Sequence, residues 1–224
     1  MRFIGITGGL GAGKSAILSY LANKPKTKVM LADEIAHELR EPGTDCYGKI
    51  VESFKGEDIF ENLLGRSELT PEHCGENLPF HRTKLAQVIF SDEKKRKQMN
   101  AIVHPAVKDY VRKVYEEENQ KGQLDLLVLE AALLIEEKYD EICDELWYIY
   151  TNESNRRARL KASRGYSDEK IDGIFASQLS EAEFRAATQK VIDNNGDLEA
   201  TYRQIEVALC NHEKRCIEKS EHQN

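Results

Sequence analysis

Residues 8–15 read GGLGAGKS and directly follow the apolar run RFIGIT. The spacing GxxxxGK[ST] puts Gly8, Gly13, Lys14 and Ser15 where a phosphate-binding loop needs them. Glycines let successive backbone N–H groups turn toward a polyphosphate with no Cβ in the way. A lysine reaches the β- and γ-phosphates, and a hydroxyl ligates Mg²⁺. The expected nucleotide contacts are Gly8, Gly11, Ala12, Gly13, Lys14, Ser15 and Ala16, with ATP as the ligand and Ser15 on the metal. The flanks agree, since Phe3, Ile4 and Ile6 suit a buried strand while Ile17, Leu18 and Leu21 fall at helical spacing. A helix N-terminus attracts anions in its own right. The competing reading is a glycine-rich turn that binds nothing.

Ligands of open α/β sheets gather at the carboxyl ends of the strands, so polar residues that close an apolar run carry weight. Asp33, Glu130 and Thr151 stand in that position. Asp33 ends the second strand, KVML, where a carboxylate can take a proton from an acceptor hydroxyl; an N-cap of the next helix is the other reading. Glu130 follows LLVL and can hold a water on Mg²⁺, or else it opens a helix. A basic run, RRARLKASR, covers residues 156–164 without an acid between. Such arginines can neutralise charge that spreads over a transferring γ-phosphoryl group; a solvated helix face is the alternative. At helical spacing Arg157, Lys161 and Arg164 share one side, and Arg156 and Arg159 lie elsewhere.

The elements that must position these groups are legible in outline. Apolar runs at QLDLLVLE, ELWYIYT and KVID follow the first two strands and are separated by helical segments. That alternation implies an α/β fold with a mostly parallel, doubly wound sheet. Residues 42–120 read as polar helices with starts at Thr70-Pro71-Glu72 and Ser91-Asp92-Glu93, which marks an inserted subdomain. A last helix after Gly196 shows Leu198, Tyr202, Ile205 and Leu209 on one stripe, and the residues after Asn211 are polar enough to fray.

The 224 residues carry 32% charged side chains and a formal net charge of -7, which argues against nucleic acid as the partner. A polyanionic ligand must then be met by local positive charge. No apolar run is long enough for a signal core or a membrane span, so a cytoplasmic protein without membrane contact is expected. The five cysteines are scattered and suggest neither a disulfide framework nor a zinc site. Cys210, His212 and Cys216 do not converge on a helix, where they lie about 200° and 240° apart from the first. A GTPase would need an NKxD motif, but Asn23-Lys24 continues Pro25-Lys26, and the Asp45–Gly48 DCYG follows EPGT instead of a strand. A small-molecule kinase leads, a nucleoside monophosphate kinase being one form of it, and a regulatory protein that binds ATP without turnover is the reading from another class.

The chain resembles the dephospho-coenzyme A kinase family over about residues 2–209. The likeness is carried by IGITGGLGAGKS, ADEIAHEL, NAIVHP at Asn100–Pro105, LLIE at Leu133–Glu136, Arg159-Leu160, Arg164, Gln178 and VIDNNG. It implies a P-loop kinase fold in one domain, residues 1–210: a nucleotide core at 1–41, 122–153 and 188–210, a helical acceptor-binding insert at 42–121, and a helical lid at 154–187. A polar, disordered tail at 211–224 would follow. The implied reaction is transfer of the ATP γ-phosphoryl to the ribose 3′-hydroxyl of dephospho-coenzyme A by a monomer. Lys14, Asp33, Arg159 and Arg164 are the implied catalytic residues, Asp33, Arg82 and His104 meet the acceptor, and Ser15 and Glu130 meet the metal. A histidine beside a proline turn is the plainer account of His104, and a surface salt bridge that of Arg82. The chain departs from the family pattern at Leu31, at Ala132, at His81 and in a longer segment over 61–80.

Overall fold

A computed structural model describes residues 1–60 and 78–221, with 211–221 as backbone. Strands β1 (Arg2–Thr7), β2 (Thr27–Leu31), β3 (Leu126–Glu130), β4 (Glu145–Tyr150) and β5 (Lys190–Asp193) form a five-stranded sheet in the order β2-β3-β1-β4-β5. β1 runs parallel to both neighbours, with Ile6 opposite Glu130 on one side and Trp147 on the other. β5 continues the parallel pairing beside β4. Phe3, Ile4, Leu127, Val128, Trp147 and Ile149 are fully buried. Near-continuous apolar strands of this kind are what a sheet covered on both faces demands. Thr7, Glu130, Tyr150 and Asp193 close their strands at one edge, and the chain order reverses across β1, where ligands of such sheets gather.

The chain divides into two compact units, one of Met1–Met30 with the chain from Glu118 on, the other of Leu31–Glu117. In the first, α1 (Lys14–Ala22) buries Ile17, Leu18 and Leu21. Three helices, α6 (Glu153–Arg164), α7 (Asp168–Ala176) and α8 (Glu181–Ala187), occupy the stretch expected as a lid. The side chains of Asn152, Ser167 and Ser180 cap them, Ser180 in a reciprocal box with Glu183. The last helix, α9 (Leu198–Glu221), continues through the stretch expected to fray. Its buried stripe is Thr201, Ile205 and Ala208, so the expected stripe is turned by about one position; Leu198 is 44% exposed. The reason is a polar anchor: the Thr201 hydroxyl donates to Asn194 Oδ1 at 3.0 Å, and that bond fixes the helix rotation.

The second unit is helical, as expected, with α2 (Ala32–Glu38), α3 (Asp45–Ser53), α4 (Arg82–Ser91) and the larger part of α5 (Glu93–Lys121). α5 starts under the Asp92 carboxylate, which accepts from Lys94 N–H at 2.8 Å; Ser91 belongs to α4 and is not the cap. Pro105 lies inside α5, so no proline turn exists there. A mid-helix proline costs about 3 kcal/mol. The helix persists because Met99, Val103, Val107, Val111 and Val114 bury one face across the break. The expected start at Thr70 and most of the 61–80 segment lie outside the described residues. Among the described residues no helix is long and apolar enough to cross a membrane.

Gly5, in the central strand, has no room for a side chain: a Cβ would stand 2.8 Å from Leu146 Cδ2 and 2.9 Å from Leu134 Cδ2. Gly5→Ala is therefore expected to destabilise the first unit by about 1–3 kcal/mol through overpacking. A lower urea midpoint at unchanged slope is the expected reading; an unchanged midpoint would show that the core gives way freely.

Candidate active site

The glycine loop joins Thr7 of β1 to Lys14 of α1. Gly13, at φ +86°, is the N-cap of α1, and a Cβ there would lie 2.4 Å from Asn194 Nδ2. At Gly9 a Cβ would lie 2.3 Å from an Arg156 nitrogen. No side chain caps α1 and no acid stands in its first turn, in contrast to the capped α3, α4, α6, α7 and α8. Its first N–H groups therefore have neither an intrahelical partner nor a side-chain cap. Lys14 folds back over the loop: its ammonium donates to Gly8 O at 2.7 Å and lies 3.4 Å from Glu130 Oε1, both side chains being 16% exposed. Ser15, in the first turn of α1, is exposed. This donor set fits a polyphosphate, and the Ser15 hydroxyl and the Glu130 carboxylate are oxygen donors of the kind a hard divalent cation takes.

The loop is held from behind. Ala12 O accepts from Asn194 Nδ2 at 2.7 Å, from the Thr151 hydroxyl at 3.0 Å and from Arg159 at 3.3 Å. Arg159 also donates to Asn194 O at 2.8 Å. Arg156 Nε donates to Leu10 O at 2.9 Å, and another of its nitrogens reaches Gln178 Oε1, which in turn accepts from Leu10 N–H. The Arg156 guanidinium lies 4.2 Å from the centre of the Phe175 ring, and burial lowers its pKa from the ordinary arginine value. The basic run is thus divided. Arg156 and Arg159, on the side not shared with the others, meet the loop, while Arg157 pairs with Glu153, Asp168 and Asp172, and Lys161 with Asp168. Arg164, in the last turn of α6, is exposed and lies beside Tyr166.

Of the residues singled out at strand ends, Thr151 and Glu130 meet the loop and its lysine. Glu130 opens no helix, because turns and a short 3-10 segment at Tyr139–Glu141 follow it. Asp33 stands in the first turn of α2 behind an N-cap at Leu31 that makes no side-chain bond, so it does not cap the helix. Its carboxylate is exposed and has no hydrogen bond or ion pair among the described residues. Arg82 opens α4 and donates to His37 Nε2 at 2.8 Å, in place of the expected surface salt bridge. His104 is half-buried within α5. The sequence leaves open which arginines of the basic run meet the loop, Arg156 among them, and does not single out Asn194 by its chemistry. The missing signal is three-dimensional, since their partners lie far away in sequence; only the glycines that admit them hint at a close approach.

Residues 2–200 match the sequence profile of the family described as dephospho-CoA kinase. A dephospho-CoA kinase of Symbiobacterium thermophilum is 33% identical over 93% of this chain and 80% of its own. One from Shouchella clausii is 34% identical over 92% of this chain and 96% of its own. A solved dephospho-CoA kinase from Campylobacter jejuni, 18% identical, superposes with a TM-score of 0.65 over 93% of this chain and 96% of its own, a likeness of fold.

The hold on Ala12 O makes a ranking testable. Asn194→Ala removes a buried donor and should cost about 1–3 kcal/mol. Asn194→Asp keeps the shape but sets carboxylate oxygen against carbonyl oxygen, so its thermal midpoint and ATP affinity should fall below those of the alanine variant. The reverse order in a paired melting and titration experiment would remove the Asn194 to Ala12 bond from the account.

Proposed function

The chain belongs to the dephospho-CoA kinase family, and from that premise we propose that it transfers the γ-phosphoryl group of ATP to the ribose 3′-hydroxyl of dephospho-coenzyme A. The observation that supports this most is the profile match across residues 2–200, which takes in both units and not the glycine loop alone. In the step itself the 3′-oxygen bonds to the γ-phosphorus, the bond from that phosphorus to the β,γ-bridging oxygen breaks, and ADP leaves. The hydroxyl proton passes to Asp33, whose carboxylate is exposed and makes no hydrogen bond or ion pair among the described residues.

Gly8, Gly11, Ala12, Gly13, Ser15 and Ala16 supply the loop and first-turn positions that cradle the phosphates, and Lys14 supplies positive charge toward the β- and γ-positions. Arg159 contributes from behind the loop, and Arg164 has an exposed guanidinium that can approach the transferring group. Arg82 and His104 are assigned to the acceptor. Mg²⁺, when bound, neutralises charge between the β- and γ-phosphates, and Ser15 and Glu130 are the residues that would hold it directly or through water.

Two variants and one assay test the reading. Lys14→Ala should bind MgATP weakly or turn over almost nothing. Asp33→Asn should fold normally and lose about 10²-fold or more in rate if it removes the base. The wild type should convert dephospho-coenzyme A to coenzyme A, with the new phosphate at the 3′ position by mass and phosphorus NMR, and leave AMP, CMP and UMP nearly untouched. Efficient phosphorylation of a monophosphate, or ATP binding with no product from any acceptor, would overturn the assignment.

A further inference from the structure

Arg40 and Arg82 of the helical unit make no ion pair with a carboxylate among the described residues. Arg40 follows α2 and donates through Nε to Ala36 O at 2.8 Å, closing the last turn of that helix. Its terminal nitrogens have no hydrogen bond or ion pair among the described residues, although the side chain is half-buried. Arg82 has one contact, to His37 Nε2 at 2.8 Å. An arginine can only donate, so Nε2 is the acceptor in this contact; Glu41 Oε1 stands 3.6 Å from the same nitrogen. A bond to a ring nitrogen orients Arg82 without bringing a negative charge to it.

Both guanidiniums line one open cleft of about 590 Å³, together with Asp33, His37, Glu34 and Glu38. Burial lowers the Arg40 pKa and Arg82 lowers it further, while Cys46, Asp33 and Glu41 act in the opposite sense. Two like charges thus share the cleft with Asp33, Glu34 and Glu38, none of which pairs with either guanidinium among the described residues, whereas Arg157 has three carboxylate partners and Arg185 has one. Such an arrangement is costly unless an anion joins it. Planar guanidinium forks match phosphate oxygens in pairs.

We propose that Arg40 and Arg82 bind the 5′-diphosphate of the acceptor, with His37 as the positioning residue that sets the Arg82 fork. The proposal rests on the acceptor assigned above and extends it. One sugar ring separates the 3′-hydroxyl of dephospho-coenzyme A from its 5′-diphosphate. That short span suits a cleft lined at once by Asp33, the proposed base, and by the two arginines.

Calorimetric titration of Arg40→Ala and Arg40→Lys with dephospho-coenzyme A, and separately with ATP, tests this. Loss of charge-assisted bonds should weaken dephospho-coenzyme A by about tenfold to a hundredfold in the alanine variant. Lysine, a point charge without the fork, should recover only part. ATP affinity should stay within about twofold of wild type in both, since a donor-side contact is not invoked. His37→Ala should raise the KM for dephospho-coenzyme A, and His37→Gln, which keeps an acceptor for Arg82, should restore it. Wild-type dephospho-coenzyme A affinity in both Arg40 variants would overturn the proposal. So would a parallel loss of both ligands, which is the mark of a general structural role. A wild type that binds ATP but no dephospho-coenzyme A would instead remove the acceptor assignment. Inorganic pyrophosphate, titrated with the glycine loop saturated by ADP, then decides the diphosphate site: binding that Arg40→Ala abolishes sustains it, and binding that the variant leaves intact ends it.

Discussion

The carbonyl oxygen of Ala12 is the point on which the donor site depends. A phosphate-binding loop must expose its N–H groups, so its own side chains cannot hold it, and glycines at +84° and +86° contribute no contacts. The restraint comes from behind, where Thr151 at the end of β4, Asn194 at the end of β5 and Arg159 of α6 converge on one oxygen. Thr201 fixes Asn194 in turn, which ties the rotation of α9 to the shape of the loop. Thr151, Asn194 and Thr201 are all buried, and each is hydrogen-bonded, so the network avoids the cost of orphaned polar groups.

The arginines sort by what they touch. Arg157 is neutralised by carboxylates, a solvated arrangement that adds little to stability. Arg156 and Arg159 touch carbonyl and amide oxygens instead, which orient a guanidinium while leaving its charge uncancelled. A chain of net charge -7 can meet a polyanion only through such local reversals of sign. Helical spacing separated the two groups correctly, but it could not say which side faces the loop. Acids in α7 decided that by drawing Arg157 and Lys161 outward.

Much of the donor side was legible because it depends on local rules. The loop needs fixed spacing, and a doubly covered sheet needs continuous apolar strands, so both stand in the sequence as patterns. The rotation of α9 was misjudged because a threonine bonded to a distant asparagine outweighed the apolar stripe. Pro105 was read as a turn because local propensity disfavours a mid-helix proline, yet a long buried face overrode it. Asp33 was visible by position, and only its unengaged carboxylate and the Leu31 N-cap separate it from an ordinary cap. Arg40 and His37 carried no signal, since the cleft that Arg40 and Arg82 both line exists only once α2 and α4 are folded together.

The two units also differ in how far their charged groups are prepared for a ligand. Arg156 and Arg159 are fixed by several partners each and half-buried, so a nucleotide on the proposed donor site would cost them little further side-chain freedom, the condition under which electrostatic stabilisation is strongest. Among the described residues Arg82, which is exposed, has one hydrogen bond, and the ends of Arg40 have none. An acceptor held there must order them as it binds, at a cost of about 0.5–1.5 kcal/mol for each long side chain. His37 reduces that cost on the Arg82 side by fixing one N–H in advance. Contacts that tighten only as the ligand arrives discriminate between ligands, because an acceptor without the matching anion orders nothing and leaves the like charges opposed.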